Sequence, residues 1–363
     1  MDDPLLLIPG PTPLPPEVLA ALSQPMISHR SPAFRDAARN VRERLAHLLQ
    51  TSGEVVVLPG SGTGALEAAI VNAFSPGDKV VAGVSGAFGD RFLSMARAFG
   101  LQAEAVSGTW GRALQPADVA AAVTPDTRGV LLVYSETSTG VLLDLQATAA
   151  AVRAKAPDVL ILVDAVSALG GAPLPMDAWG IDMVSSGAQK ALMAPPGLAI
   201  IGVGPRGLAA MQNSRLPRFF WDFRVYIERA RAGGINFTPS IALIMALDAA
   251  LRRAEAEGWD NVFRRHAAVA AQCRAGLRAL GFQPLAPEGE ASPTVTAVIP
   301  PAPLQPAQVI DAMGQRGIEI ASSMGQVADR VFRVGHMGYV GEAEVARFLS
   351  TLRDAAAQMR GVA

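Results

Sequence analysis

The chain has 363 residues, half of them apolar and 17% charged, a composition that favours a large buried core and excludes disorder over most of its length. Its 31 basic and 32 acidic residues leave a net charge of −1 without basic runs or acidic tails, which points away from nucleic acid and anionic membranes. The single cysteine, Cys273, excludes an internal disulfide; the proline-rich opening lacks a secretory pattern, and no apolar run reaches the roughly 18 residues of a membrane span. The expectation is a cytoplasmic enzyme of two domains.

The first 15 or so residues, "MDDPLLLIPGPTPLP", carry too many prolines for a strand or helix and should lie extended across the body. From about residue 54, short β-branched runs alternate with helical patterns. "EVVVLPG" (54–60) reads as a strand and "GALEAAIVNAF" (64–74) as a helix; "DKVVAGVSG" (78–86) and "DRFLSMARAFG" (90–100) repeat the pair. Further strands are predicted at 128–136, 158–166, 181–187 and 197–204. Apolar strands alternating with helices imply a mostly parallel sheet covered on both faces, with ligands bound beyond the strands' carboxyl ends. After residue 240 the pattern changes. Long helices are predicted at 241–258 and 261–281, then a strand at 294–300, a helix near 306–316, a strand near 331–335 and a final helix from about 342. The domains expected are an N-terminal segment, 1–15, a large domain, 16–254, and a smaller α+β domain, 255–363.

Three loops of the large domain suggest chemistry. In "PGSGTGALEA" (59–68) glycines let the backbone approach a ligand, and the following helix offers free amides to an anion. The loop has neither the Lys-Ser/Thr of a Walker A motif nor the third glycine of a dinucleotide fingerprint, and by itself a structural turn explains it better. Asp164 ends the apolar run "VLILVDAV", where a carboxylate needs a cation or donors; capping the next segment is the alternative. Lys190, in "SSGAQKALMAPPG", is one of only three lysines beside 28 arginines. Arginine serves surface ion pairs at least as well, but only a primary amine forms an imine. An anion cradle, a buried acid and an amine complement the phosphate, ring nitrogen and aldehyde of pyridoxal 5′-phosphate (PLP).

The segments "LLLIPGPTPLPPEVLAAL", "SHRSPAFR", "GSGTGALEAAIVNAFSPGD", "SETSTGV", "VDAVSALGG" and "SSGAQKALMAPPGLAII" together resemble the class V aminotransferases, in order from about residue 5 to 353. The likeness is strongest to the alanine–glyoxylate and serine–pyruvate group. It implies the fold of aspartate aminotransferase, PLP-dependent fold type I: a large domain with a mostly parallel seven-stranded sheet, a smaller C-terminal domain, and a homodimer with shared active sites.

By that resemblance Lys190 forms the imine with PLP and then shuttles the substrate proton, while Asp164 pairs with the pyridine nitrogen. Ser61, Gly62, Thr63 and Gln189 match phosphate-holding positions, and Thr238, in "NFTPS", matches a threonine that reaches the neighbouring subunit's phosphate. Thr137 matches a hydroxyl near the ring's phenolic oxygen, although a turn hydroxyl explains it equally well. Phe88 stands where animal members stack a tryptophan on the ring, and Ile235 replaces a tyrosine. Arg333, in "VFRVGHMG", matches the arginine that binds the substrate α-carboxylate through a planar fork. The reaction implied is a ping-pong transamination from alanine or serine to glyoxylate or pyruvate. Aspartate as donor is the first alternative; a cysteine desulfurase or lyase and an NAD(P) oxidoreductase are weaker ones. Cys273 lies inside a predicted helix, unlike the mobile loop cysteine a desulfurase needs. The four histidines show no metal-ligand spacing, and His336 is placed either near the pocket or in ordinary packing.

Overall fold

The computed structural model describes residues 4–361, so Met1–Asp3 of the expected N-terminal segment and the last two residues of the expected small domain lie outside the described residues. Seven strands form the main sheet: β1 (Glu54–Pro59), β2 (Lys79–Val84), β3 (Gln102–Ser107), β4 (Thr127–Val133), β5 (Leu160–Asp164), β6 (Met183–Gly187) and β7 (Leu198–Val203). Their order is β1-β7-β6-β5-β4-β2-β3, and β7 alone runs against the direction shared by the other six.

Continuous apolar strands follow from burial on both faces. Along β5, Leu160 and Leu162 enter one core layer while Ile161 and Val163 enter the other. One layer is completed by Leu45, Val152 and Leu247 of helices Pro32–Leu49, Leu145–Lys155 and Ile241–Glu257. Ile70, Phe92 and Met211, from helices Gly62–Ala73, Ala87–Ala98 and Pro205–Asn213, complete the opposite one.

A second sheet, antiparallel and four-stranded, runs in the order Gln283–Pro284, Val295–Ile299, Phe332–Gly335, Ala321–Ser322. Helices Trp259–Ala279, Pro306–Gly314 and Glu342–Gly361 accompany it around a core that includes Leu277, Val298, Val309, Phe332 and Phe348. The break expected at 255 falls in the last turn of helix Ile241–Glu257, just before Gly258, whose φ of +84° ends that helix.

Two expectations need correction. The prolines do not prevent a strand at the N-terminus: Leu5–Leu6 pairs in parallel with Ile318–Glu319, and Leu7 is buried beside them, because Pro9 and its successors come only after this pairing. The run 128–136 is not one strand. The main sheet releases the chain after Val133, and Ser135–Glu136 turns into a hairpin with Val141–Leu142, with Gly140 at φ +71°.

Candidate active site

Strands β1, β2, β4, β5 and β6 all point the same way, so the segments that follow them meet at one edge of the sheet. Those segments carry Ser61, Phe88, Thr137, Asp164 and Lys190. Gln189 precedes the lysine, and Arg333 arrives from the second sheet.

Lys190 sits in a tight loop after β6. Met193, held at φ +57°, donates its amide to the Lys190 carbonyl at 3.0 Å, and Ala194 returns a hydrogen bond to the carbonyl of Ala188. Thr12 clasps the same loop, with its hydroxyl on the Lys190 carbonyl at 3.0 Å and its amide on that of Gln189 at 3.2 Å. The Lys190 ammonium donates to the carbonyl of Pro9. Burial and then the nearby charge of Arg333 push the amine down to about 8, against an opposing pull from Asp164. A lysine so placed is partly neutral near physiological pH, as a nucleophile or proton carrier must be.

Asp164 closes β5, and its carboxylate is 3% exposed. Its Oδ1 accepts the amide of Val166 at 2.9 Å, which fixes the group's direction. Among the described residues Oδ2 accepts no hydrogen bond. Burial pushes the carboxyl up to about 7; Glu136 adds to the rise, while Lys190 and Arg91 oppose it. A cationic N–H donor facing Oδ2 would restore its charge.

Ser61 caps helix Gly62–Ala73, its hydroxyl accepting the amide of Gly64 at 3.2 Å. The amides of Gly62 and Thr63, in the helix's first turn, have no carbonyl partner within the helix and mark an anion-binding end. Gly62 is needed for space, since a Cβ there would stand 2.5 Å from Cγ2 of Val166. The Gln189 side chain lies against Gly187, with its oxygen buried and unpartnered.

The loop after β4 joins the remaining groups. Thr137 shares a 2.5 Å hydrogen bond with the hydroxyl of Ser167. Arg333 gives Nε and Nη2 to the carbonyl of Ser322, at 2.9 and 2.7 Å, and Nη1 to that of Thr137 at 3.3 Å. This leaves one N–H on each terminal nitrogen, the pair a carboxylate accepts side by side. Phe88 lies in the first turn of helix Ala87–Ala98, and the guanidinium of Arg91 sits 4.6 Å above its ring.

Thr238 is not with this group. It is exposed and lines a separate cavity with Ile235, Phe34, Phe220 and Phe237. His336 is fully buried, bonded through Nε2 to Thr296 at 2.8 Å and pushed down to about 3 by burial. Cys273 is buried within helix Trp259–Ala279, its thiol pushed up to about 12 by burial. Among the described residues no cluster of His, Cys, Asp or Glu could hold a metal ion, and no helix is long and apolar enough to cross a membrane.

The aminotransferase class-V family model matches residues 5–348. The chain belongs to this family. It is a PLP-dependent aminotransferase of fold type I, and pyridoxal 5′-phosphate is its cofactor. A Synechococcus protein named as the small subunit of a soluble hydrogenase is 39% identical, over 99% of this aminotransferase and 94% of that protein. An L-aspartate–glyoxylate aminotransferase of Paracoccus denitrificans is 37% identical, over 93% and 87% of the respective chains. The crystal structure of an alanine–glyoxylate aminotransferase from Nostoc matches with a TM-score of 0.93 and 30% identity, over 98% of this chain and 96% of that one.

Four residues beside this group of side chains escape the sequence reading. Glu136 stands beside Thr137 in the quoted "SETSTG" and is 2% exposed; the argument that singles out Asp164, an acid among buried residues, applies to it equally. Arg91 follows Phe88 by three positions, so a helix brings both to one face. The contact of Pro9 and Gly10 with Lys190 joins positions about 180 apart and leaves no local signal.

Proposed function

We propose that the enzyme transfers the amino group of alanine or serine to glyoxylate or pyruvate in two half-reactions at one site. The observation that carries this reading is Arg333: a buried guanidinium with two N–H groups free, close enough to Lys190 for its charge to lower the lysine's proton affinity. Such a fork suits the α-carboxylate shared by amino acids and 2-oxo acids.

The residues fit the cofactor's three polar ends. In this reading Lys190 takes the aldehyde, and Asp164 presents Oδ2 to the ring nitrogen and keeps it protonated. The amides of Gly62 and Thr63, with Ser61 and Gln189, hold the phosphate. The ring of Phe88 covers one cofactor face, and the Thr137 hydroxyl lies by the phenolic oxygen. When bound, the cofactor supplies the carbonyl that receives the amino group and the conjugated ring that accepts electrons from the substrate Cα. Once the substrate amine had displaced it from the cofactor, the free Nζ of Lys190 would serve as the general base that takes the proton from the substrate Cα and gives it back to the cofactor.

We also propose a homodimer in which Thr238 serves the partner's phosphate. Near Thr238, Phe219 is 80% exposed, and Phe220 and Phe237 are stacked on each other beside it. A subunit interface would cover such a patch.

Aspartate as donor is a second reading, favoured by one observation. Arg91 lies on the helix of Phe88 and acts electrostatically on both Lys190 and Asp164, so a second carboxylate could find a cation there. The hydrogenase name borne by one relative has no counterpart in ligands, since one buried cysteine cannot supply the thiolates of an iron–sulfur cluster.

A half-reaction screen tests the reading. The loaded enzyme is mixed with alanine, serine or aspartate, and conversion of the cofactor to its pyridoxamine form is followed by absorbance. Conversion by alanine or serine is expected. Conversion by aspartate alone, abolished in Arg91→Ala, would transfer the assignment to the second reading.

A further inference from the structure

The helix that carries Phe88 has no cap of its own. Its N-cap is Gly86, which has no side chain to accept from the first turn. Its first three amides are bonded instead by two residues some fifty positions later in the chain. Ala87 donates to the hydroxyl of Ser138 at 3.0 Å, while Phe88 and Gly89 both donate to Oε2 of Glu136 at 3.1 Å. Oε1 of the same carboxylate accepts the amide of Ser138 at 3.1 Å and its hydroxyl at 2.5 Å.

Every group that meets Glu136 is therefore a donor. These donors and the positive end of the helix favour the charged form of the carboxylate, against burial, which pushes its pKa up. The approach is close enough to require glycine at position 86, where a Cβ would stand 2.3 Å from Cδ of Glu136. The other side of the same loop faces the substrate arginine. Thr137 offers its carbonyl to Nη1 of Arg333, and the Ser138 carbonyl accepts the hydroxyl of Ser323, next to the Ser322 that holds Nε and Nη2.

We propose that Glu136 is a positioning residue, whose buried carboxylate locks the helix bearing Phe88 to the loop that holds Arg333 and so sets the cofactor-facing ring in register with the substrate-facing guanidinium. This rests on the roles given above to Phe88 and Arg333. An ordinary stabilising cap would act on folding alone, whereas a register lock acts on the cofactor's asymmetric environment and on substrate affinity.

The test is Glu136→Gln, which keeps shape but turns one acceptor into an NH2 group facing donors. The control is Asp144→Ala, which removes the N-cap of helix Leu145–Lys155, outside the site. Both variants are loaded with cofactor, and melting temperature, the visible circular dichroism of the bound cofactor, KM and kcat are measured. In Glu136→Gln the dichroic band should fall to about half or less and KM for the amino donor should rise about ten-fold, with a smaller change in kcat. Asp144→Ala, with a comparable loss of melting temperature, should move neither. If dichroism and KM in Glu136→Gln stay at the control's values, the residue is a cap only and the proposal is overturned. Should Glu136→Gln fail to fold, Ser138→Ala, which removes one donor to the carboxylate and one amide acceptor, must shift the dichroism in the same direction; an unchanged band would overturn the proposal. Wild-type protein without any cofactor band would overturn the reading of the site itself, an outcome distinct from a band that Glu136→Gln leaves intact.

Discussion

A side chain at Gly10 would place its Cβ 2.6 Å from Cδ of Lys190 and 2.9 Å from its Nζ. Gly10 has a φ of +94°, so the N-terminal segment meets the lysine with the one residue that accepts both the conformation and the contact. The segment is anchored on both sides of that point. Leu7 donates to Glu319 and accepts from Gly335, while Thr12 bonds Gln189 and Lys190. Gly10→Ala should therefore displace the lysine's side chain instead of relaxing away from it. Its kcat should fall about 10- to 100-fold, as small misplacements of reacting groups do, and its melting temperature should fall too, because alanine is strained at this φ. Stopped-flow measurement of the first half-reaction checks this.

Asp164 makes stability depend on pH in a particular direction. Its carboxyl, ordinarily near 3.8, titrates at about 7 in the folded chain because burial disfavours the charge. Between those values the folded protein holds a proton that the unfolded chain has released. The contribution of Asp164 to the stability of the cofactor-free protein should thus fall as pH rises from about 4 to about 7, by an amount on the order of 4 kcal/mol at most, while the buried His336, pushed down to about 3, contributes in the opposite sense. Urea denaturation of wild type and Asp164→Asn across that range should show the wild type losing stability relative to the variant as pH rises. The same variant should still bind cofactor yet turn over far more slowly.

For Arg333 the prediction separates binding from chemistry. Arg333→Lys keeps a positive charge but loses the paired N–H groups and cannot bridge Ser322 to Thr137. KM for the amino donor should rise about 100-fold, near 3 kcal/mol of lost carboxylate binding, while the cofactor's visible spectrum persists. A parallel loss of that spectrum would show that the residue holds the cofactor's surroundings instead of the substrate.

Much of this arrangement can be read from the sequence, because parallel strands buried on both faces are continuous apolar runs and their carboxyl ends are where polar residues interrupt them. The rule places Asp164 after "VLILV" and Lys190 after "MVSSG" at that edge, while their roles rest on the family likeness and, for Lys190, on the scarcity of lysines. Helix Leu145–Lys155 is hidden by its alanines, which form helix without marking an apolar face, and Pro32–Leu49 by charges that mask the spacing of Phe34, Val41, Leu45 and Leu48. Strand β3 has exposed, alternating side chains at the sheet edge and gives little signal. Pro9 and Gly10 gain their meaning only from partners distant in the chain, as does the capping contact of Glu136, though not its burial. Arg333, one of 28 arginines, is singled out by family likeness and by its carbonyl partners, not by composition.

The aromatic patch leads to a prediction about assembly. Among the described residues Phe219 is the most exposed large apolar side chain, and it touches Phe237, one residue from Thr238. Phe219→Asp should weaken the proposed dimer about ten-fold or more, since burying a phenylalanine contributes roughly 1.5–3 kcal/mol. Cofactor affinity should fall with it, because Thr238 would no longer reach a partner's phosphate. Sedimentation velocity over a dilution series reads the first effect and cofactor titration the second.

The central claim is that Lys190 carries the cofactor covalently. Reduction of the purified, cofactor-loaded protein with borohydride, followed by digestion and mass spectrometry, addresses it directly. The account predicts loss of the yellow colour and one pyridoxyl-labelled peptide, with the label on Lys190. A label on Lys79 or Lys155, or no labelled peptide from a protein that was yellow before reduction, would contradict it.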